Sequence, residues 1–208
     1  MTAQPQLAEG LARLKLTLPQ ETQQKLLAYV ALVQKWNMVY NLTAVHDADK
    51  MLTHHLLDSL AVVPHVATAK TILDVGSGAG LPGIPLALAL PGAHVTLLDS
   101  NHKKAAFLTQ AVIELKLSNA EVVCERAEKY PSKHMFSVVI SRAFSDLPEF
   151  VALAGGLVEP GGTLLAMKGV HPFEEIAQLK GGFKLSGVTP LIVPGLDAER
   201  HLVFLKAA

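Results

Sequence analysis

Three glycines at alternate positions, Gly76, Gly78 and Gly80, follow a short apolar segment that contains an acid, Asp74. Glycine permits positive φ angles and lets a ligand approach the main chain closely. The apolar residues at 71–75 predict a buried parallel strand, and α/β proteins bind ligands outside the carboxyl ends of such strands. The stretch therefore predicts a nucleotide-type binding turn between a strand and a helix.

Two kinds of ligand suit a turn of this kind. Residues 78–83 match the dinucleotide-binding motif G-x-G-x-x-G, in which amide N–H groups bind a pyrophosphate. The carboxylate of Asp74, two residues before the first glycine, would repel a pyrophosphate. The same carboxylate suits a ligand with an ammonium group and no phosphate, such as S-adenosylmethionine (SAM). We therefore predict SAM and keep a nicotinamide dinucleotide as the alternative.

A second acid, Asp99, ends the next predicted strand at 94–98. It stands about twenty residues after the glycines, which is the spacing of a carboxylate that binds the hydroxyls of a ribose. The alternative role is the N-cap of the following helix, but Ser100 or Asn101 can supply that cap. We predict that Asp99 is a ribose ligand.

The loop after the third predicted strand contains Ala127 and Glu128. In a doubly wound sheet this loop lies beside the glycine turn, at the end where an adenine would rest. A backbone N–H and a carboxylate there can bind the edge of an adenine. An exposed acid in a loop without a ligand is an equally good interpretation.

Charge and cysteine content limit the partners of the chain. Its 208 residues include 18 basic and 18 acidic side chains, so any contact with RNA has to come from a local patch. The single cysteine, Cys124, excludes an intramolecular disulfide and fits a reducing compartment. The first residues do not have the basic-then-apolar pattern of a signal peptide, so we expect no secretory leader. The most apolar stretch, 81–93, is short and interrupted by prolines. We expect a soluble cytoplasmic protein without a membrane partner, and a monomer.

The order of the predicted elements indicates an α/β fold. Strands are predicted at 71–75, 94–98, 121–124, 136–140, 162–167, 183–193 and 201–206, and helices at 102–117, 146–157 and 173–180, besides one that ends near residue 90. This alternation predicts a doubly wound, mostly parallel sheet whose last strand is antiparallel. Residues 1–70 have a helical pattern and no linker follows them. We expect a helical extension, 1–70, packed on a ligand-binding domain, 71–208.

The helical extension carries side chains that a plain helix bundle does not need. Trp36 and Tyr40 either pack in the core or stack on a substrate base. His54 and Asp58 are four residues apart and could hold a metal, but no second pair of ligands accompanies them. We therefore predict a hydrogen-bonded histidine–aspartate pair and no metal site. The pattern assigns no role to the neighbouring His55.

The chain resembles the bacterial small-subunit rRNA methyltransferase G family, also called glucose-inhibited division protein B, over nearly its whole length. The resemblance rests on KWN at 35–37, YNLT at 40–43, HLLDS at 55–59, DVGSGAGLPGIP at 74–85, LLDS at 97–100, ISRAF at 140–144 and ERHLV at 199–203. It implies a class I SAM-dependent methyltransferase fold, which is Rossmann-like with seven strands. It also implies methylation of N7 of one guanine in 16S rRNA near the decoding region, and the balanced charge leads us to expect that this RNA is bound within the 30S subunit. By this similarity SAM would contact Gly76, Leu81, Ala127, Glu128 and Arg142.

The residues after the fourth strand agree with methylation of a ring nitrogen. Enzymes that methylate exocyclic amines usually carry Asn or Asp followed by Pro-Pro-Tyr there, whereas this chain has Ser-Arg-Ala-Phe at 141–144. Methylation of pyrimidine C5 needs a cysteine nucleophile, and Cys124 is expected in the core. Guanine N7 carries a lone pair and no proton, so it needs neither device. We predict an enzyme that acts by positioning its substrates, without a catalytic side chain.

Three cations fall at one edge of the expected sheet. Arg142 and Lys168 follow the carboxyl ends of strands four and five, and Arg200 precedes the antiparallel last strand. Adjacent strands lie about 5 Å apart, so the three would line one rim beside the methyl donor. We predict that this rim binds rRNA, with Lys103 extending it. The alternative for each cation is a local salt bridge, such as one between Arg200 and Asp197.

Overall fold

The computed structural model describes residues 3–131, 135–142, 144, 146–179 and 181–208. The N-terminal third is helical: α1 (Ala3–Arg13), α2 (Gln20–Tyr40), α3 (Ala48–Met51), a π-helical turn (Leu52–Leu57), α4 (Asp58–Leu60) and α5 (Val63–Val66). Helix α2 ends where Asn41 adopts a left-handed conformation, with φ of 49°. The side chain of Asp47 accepts a hydrogen bond from the Lys50 amide and so caps α3.

The helix after Asp47 is not regular. Its middle section widens into the π-helical turn, in which the Asp58 amide bonds to the carbonyls of Thr53 and His55. Turns of this kind are rare and often mark functional sites. The wider turn changes the directions in which His54, His55 and Asp58 leave the helix.

Seven strands form one sheet. They are β1 (Thr71–Val75), β2 (His94–Leu98), β3 (Ala120–Val123), β4 (Phe136–Ser141), β5 (Val158–Lys168), β6 (Phe183–Pro190) and β7 (His201–Ala207). Their order is β3-β2-β1-β4-β5-β7-β6, and β7 runs antiparallel to both of its neighbours. The other bonded pairs are parallel. The predicted seven-stranded sheet with an antiparallel last strand is confirmed.

The helices that connect the strands are α6 (Gly83–Ala89), α7 (His102–Glu114), α8 (Leu147–Ala154) and α9 (Phe173–Ala177). Asn101 and Asp146 cap α7 and α8 by accepting hydrogen bonds from amides of the first turn. Strand β5 begins four residues earlier than predicted, because Val158 already pairs with Phe136. The predicted helix at 173–180 is shorter, and its last residue lies outside the described residues.

Two hydrophobic clusters cover the two faces of the sheet. One joins the N-terminal helices to the sheet and includes Leu26, Leu57, Ile84 and Phe107. The other lies under α8 and includes Phe150. The extension thus shares its core with the rest of the chain. Among the described residues, none of the helices combines the length and the apolar character needed to cross a membrane.

Candidate active site

The glycine turn follows β1 at the carboxyl edge of the sheet. Gly76, Gly78 and Gly80 have φ angles of 73°, 58° and 88°, which side chains rarely adopt. The Gly76 amide donates to the carbonyl of Leu98 at the end of β2, at 2.8 Å. The turn is therefore attached to the neighbouring strand and stands open toward the edge.

Asp99 lies at this edge with its carboxylate held by two amides. Its Oδ2 accepts from the Gly78 amide and its Oδ1 from the Asn101 amide, both at 2.8 Å. Because Asn101 caps α7, Asp99 does not have to. Each carboxylate oxygen can accept a second hydrogen bond. Its position and remaining acceptors suit a vicinal diol, which is the part of a ribose that the sequence predicted here.

A first cavity of about 330 Å³ opens between the ends of β1, β2 and β3. Its lining comprises Val75, Gly76, Leu98, Asp99, Ser100, Glu125, Arg126, Ala127, Glu128, Phe144 and Leu153. Ala127 and Glu128 lie in a 3-10 turn, with Glu128 Oε1 3.9 Å from Nη1 of Arg126. The cavity thus combines apolar walls with the hydrogen-bond acceptors of Asp99 and Glu128, an arrangement that fits a nucleoside.

A second cavity of about 180 Å³ lies on the other side of Gly76. It is lined by Leu42, Thr43, Gly76, Ser77, Gly78, Ala79, Leu81, Lys104 and Arg142. The predicted ligand contacts Gly76, Gly78, Leu81 and Arg142 therefore meet at one place. Lys104 lines this cavity, whereas Lys103 is exposed at the start of α7 and lines neither of the two cavities.

Asp74 is placed differently from the expectation that it faces a ligand. Its side chain is fully buried beneath the turn and belongs to the lining of neither cavity. Oδ2 accepts a hydrogen bond from the Gly83 amide at 2.9 Å, and Oδ1 has no partner. Burial raises the pKa of this carboxyl to about 7, against the opposing effect of the Gly83 amide. In this geometry Asp74 contacts the start of α6.

A third cavity of about 370 Å³ lies beyond Arg142, at the ends of β4, β5 and β7. It is lined by Val45, His54, His55, Asp58, Arg142, Met167, Lys168, Gly169 and Arg200. The three cations that the sequence placed on one rim thus share a cavity. Arg142 lines the second and the third cavity, so it stands at their junction.

Acidic partners hold all three cations. Asp58 binds two of them: Oδ2 accepts from Nη1 of Arg142 at 3.2 Å, and Oδ1 from Nε of Arg200 at 3.1 Å. Nζ of Lys168 lies 2.7 Å from Oε2 of Glu175, and this lysine side chain is only 10% exposed. Arg142 and Arg200 are therefore the more accessible cations of the rim.

The predicted pair of His54 and Asp58 does not form, and neither does the alternative pair of Arg200 and Asp197. Asp58 bonds to the two arginines instead of His54, whose Nδ1 lies 2.8 Å from the hydroxyl of Thr53. Arg200 takes Asp58 as its partner, not the nearby Asp197 considered from the sequence. Both differences have one cause: the end of β4 and the start of β7 face the π-helical turn, a proximity that local spacing does not reveal.

His55 supports the same cluster from behind. Its Nε2 lies 2.7 Å from the hydroxyl of Thr43, and its Nδ1 lies 3.5 Å from Nη2 of Arg142. Burial, reinforced by the charge of Arg142, lowers the pKa of His55 to about 4. The ring is therefore neutral at pH 7. With Nδ1 accepting from the arginine, Nε2 carries the proton and donates to Thr43.

Trp36, Tyr40 and Cys124 lie outside the three cavities. Trp36 packs edge-on against the buried ring of Phe107. Tyr40 stacks on Trp36 with a centroid separation of 5.2 Å and is 43% exposed. Cys124 is exposed, so the expectation that it packs in the core is wrong. Its sulfur lies 3.2 Å from Nδ1 of His102.

Two residues of the site were not given their roles by sequence reasoning. Thr43 lines the second cavity, and Asp58 links the arginines of the third. A signal for Asp58 does exist, because it interrupts a strongly apolar helical segment. A buried carboxylate requires partners, but the sequence does not name them.

This strand order, with ligand-sized cavities at the carboxyl ends of β1, β2 and β4, defines the class I methyltransferase fold. Among solved structures with this fold, the O-methyltransferase TomG from Streptomyces achromogenes aligns with a TM-score of 0.62 and 17% identity, covering all of both chains. TrmN from Thermus thermophilus aligns with a TM-score of 0.57 and 20% identity over 72% of this chain and 48% of its own.

Sequence similarity gives the family. Residues 22–203 match the family described as "rRNA small subunit methyltransferase G". Proteins named "Ribosomal RNA small subunit methyltransferase G" from Nitrosospira multiformis and Aromatoleum aromaticum are each 55% identical to the chain. The first alignment covers 100% of this chain and 99% of the relative, and the second covers 96% and 97%. The chain belongs to the rRNA small subunit methyltransferase G family.

Proposed function

We propose that this protein is a SAM-dependent methyltransferase that methylates N7 of a specific guanine in 16S rRNA near the decoding region. Family membership supports the reaction class and the substrate. The observation that carries the proposal is the position of Arg142. It stands between the glycine-lined cavity and a cavity with two further cations. A methyl donor and an RNA nucleotide in these two cavities would meet beside one guanidinium.

The first two cavities suit the two ends of SAM. In the first cavity Asp99 would bind the ribose hydroxyls, and Ala127 and Glu128 would bind the adenine edge. In the second cavity Gly76, Gly78, Leu81 and Arg142 would surround the amino-acid end. Asp74 would act indirectly, since it holds the Gly83 amide under the turn.

A dinucleotide has less support at the same turn. Asp74, whose Oδ2 accepts a hydrogen bond from the Gly83 amide, lies directly beneath the turn that a pyrophosphate would occupy in the G-x-G-x-x-G interpretation. A buried acid at this point also opposes the charge of a pyrophosphate. Family membership favours a methyltransferase over an oxidoreductase independently of this geometry.

The proposed chemistry needs orientation rather than proton transfer. SAM supplies an electrophilic methyl group, and the lone pair of guanine N7 forms the new bond as the bond to sulfur breaks and the positive charge passes to the base. The chain then has to hold the two reactants in line and keep water out. Arg142 would orient both partners, and no side chain has to remove a proton.

The third cavity would hold the target nucleotide. Arg142, Lys168 and Arg200 bring three positive charges to its wall, partly offset by Asp58 and Glu175, and cations of this kind bind RNA phosphates. Lys103 on the exposed start of α7 would extend the contact. Because the chain has equal numbers of basic and acidic residues, we expect it to need a folded ribosomal surface rather than a strong general attraction to RNA.

The test is to incubate purified protein with SAM labelled in its methyl group and 30S subunits from a strain without this modification, and then to map the labelled nucleotide. We expect one 7-methylguanine in 16S rRNA. Naked 16S rRNA serves as the comparison for the form of the substrate. Label in another base, another atom or ribosomal protein would contradict the proposal, as would tight binding of NADH with no binding of SAM.

We propose further that the protein acts in the cytoplasm as a monomer. The ribosomal substrate supports the compartment, since 30S subunits are made and used there. Sedimentation at the protein concentrations of the activity assay checks the monomeric state. A stable dimer that is required for activity would contradict it.

A further inference from the structure

Asp58 is the most buried member of the third cavity, with a side chain that is 2% exposed. It is also a point of contact between three distant parts of the chain. It comes from the N-terminal helical extension, and its two oxygens bind Arg142 at the end of β4 and Arg200 at the start of β7. The sequence separations are 84 and 142 residues. A single carboxylate therefore fixes two guanidinium groups relative to each other.

The π-helical turn provides further acceptors for Arg142. In a regular α-helix the amide of Asp58 would bond to the carbonyl of His54, whereas here it bonds to those of Thr53 and His55. The carbonyl of His54 accepts from Nη1 of Arg142 at 3.2 Å. The irregular turn thus places a carbonyl and a carboxylate against the same guanidinium nitrogen.

The second terminal nitrogen of Arg142 faces His55, and the ring is itself held in place. The hydroxyl of Thr43 bonds to the ring, and the Thr43 amide donates to Oδ1 of Asn37 at 2.9 Å. The carboxamide of Asn37 also donates to the carbonyl of Val45 at 3.3 Å. A chain of polar contacts therefore runs from the end of α2 to the guanidinium.

The arrangement fixes both the position and the plane of the group. A guanidinium is planar and presents its donors in a rigid fork, so acceptors on both terminal nitrogens restrict its rotation. The charge on Asp58 also offsets the repulsion between Arg142 and Arg200. Removal of that charge would leave this repulsion uncompensated and would weaken the hold on Arg142 at the junction of the second and third cavities.

We propose that Asp58 is a positioning residue for methyl transfer, which holds Arg142 at the junction of the two cavities and Arg200 beside it. The helical extension then has a role in the reaction, because it supplies the acceptors that orient Arg142. This inference rests on the proposed function for the placement of SAM and of the target nucleotide in the two cavities that Arg142 joins.

The first experiment compares Asp58→Asn with the wild type in SAM affinity by calorimetry, kcat, KM for 30S subunits and melting temperature. The variant keeps the shape of the side chain and removes its charge. We expect SAM affinity and kcat each to fall on the order of 10- to 100-fold, the cost of a displacement of about 1 Å in a positioned site. Asp197→Asn is the matched control, since Asp197 is exposed and has no ion pair among the described residues. We expect that control to equal the wild type.

A double-mutant cycle separates positioning from a general loss of structure. If Asp58 acts through Arg142, Asp58→Asn will add a loss of about twofold or less when Arg142→Gln is already present. If the losses of activity caused by the two substitutions multiply in the double variant, the proposal is wrong. It is also wrong if Asp58→Asn lowers the melting temperature but leaves kcat of the folded fraction unchanged. If Asp58→Asn does not fold, Asp58→Glu keeps the charge and moves it by one methylene. Failure of both variants to fold would assign Asp58 to stability alone and overturn the proposal.

SAM affinity is measured without RNA, and it distinguishes the two proposals. If the wild type binds SAM but labels a different nucleotide, the proposed substrate is wrong while the role of Asp58 is still decided by calorimetry. If the wild type labels the expected guanine and Asp58→Asn matches it in affinity and kcat, only the positioning role is wrong.

Discussion

The carboxylate of Asp99 and the amide of Gly78 are 2.8 Å apart and hydrogen-bonded. This contact joins the end of β2 to the glycine turn that follows β1. The same carboxylate binds the Asn101 amide at the start of α7. One acidic side chain therefore shapes the wall of the first cavity and faces the ligand that the cavity would take.

We expect Asp99→Asn to weaken SAM binding by about 1 to 3 kcal/mol, because the carboxamide can no longer accept on both oxygens. Two amides and the ribose hydroxyls would compete for a single acceptor. Calorimetry on the folded variant measures the loss, with Asp197→Asn as the surface control. An unchanged affinity would remove Asp99 from the ribose site.

Position 83 needs glycine because neighbouring side chains leave no room for a Cβ atom, and not because of its φ angle. A methyl group there would meet the side chain of Leu97 and would lie 2.7 Å from Oδ2 of Asp74. We expect Gly83→Ala to lower the free energy of unfolding by about 1 to 3 kcal/mol, the usual cost of overpacking. Gly92→Ala is the matched control, because a methyl group there meets nothing within 4 Å. Equal melting temperatures for the two variants would contradict the crowding at the start of α6.

Asp74 should make stability depend on pH. Its folded pKa of about 7 lies above the ordinary value of 3.8, so the folded state binds the proton more readily than the unfolded state. The contribution of this group to stability is therefore greatest at acid pH and is lost as the pH rises through 7.

The test compares Asp74→Asn, which cannot titrate, with the wild type by denaturant unfolding at pH 5 and pH 8. We expect the difference in free energy of unfolding, variant minus wild type, to be about 2 to 3 kcal/mol larger at pH 8 than at pH 5. Asp197→Asn gives the behaviour of a surface carboxylate. A difference between Asp74→Asn and the wild type that does not change with pH would show that the buried carboxyl is already ionised.

Arg200→Gln should weaken the use of ribosomal substrate without changing SAM affinity, because Arg200 lines the third cavity and not the second. If Arg200 neutralises a phosphate, the slope of log KM against log salt should fall by about 0.7 to 1. Lys206→Gln is the control, since this exposed lysine lies near the opposite end of β7. Equal salt dependence in the two variants would argue against a phosphate contact at Arg200.

Much of the fold follows from local patterns in the sequence. The apolar segments at 71–75 and 94–98 became β1 and β2 with the predicted bounds, because buried parallel strands are short and bounded by turn residues. The family resemblance supplied the order of the strands, which local patterns cannot give. Strand β5 was predicted too short, since Pro160, Gly161 and Gly162 look like a turn but continue the strand past a bulge.

The polar contacts of the site were harder to predict. Asp99 follows from spacing, because the ends of adjacent parallel strands meet at one edge. Asp58 does not, because its partners lie 84 and 142 residues away and are reached only after the helical turn widens. Asp74 has the residue type and position expected of a ligand contact, yet the direction of its side chain, set by the alternation of β1, buries it under α6.

The placement of β7 between β5 and β6 sets an order of assembly. Residues 183–190 leave the ribosome before the strand that bonds them to the rest of the sheet, so they have to wait for residues 201–207. The same late strand brings Arg200 to Asp58. A nascent chain therefore gains its full cationic cavity only after the last strand is synthesised and inserted.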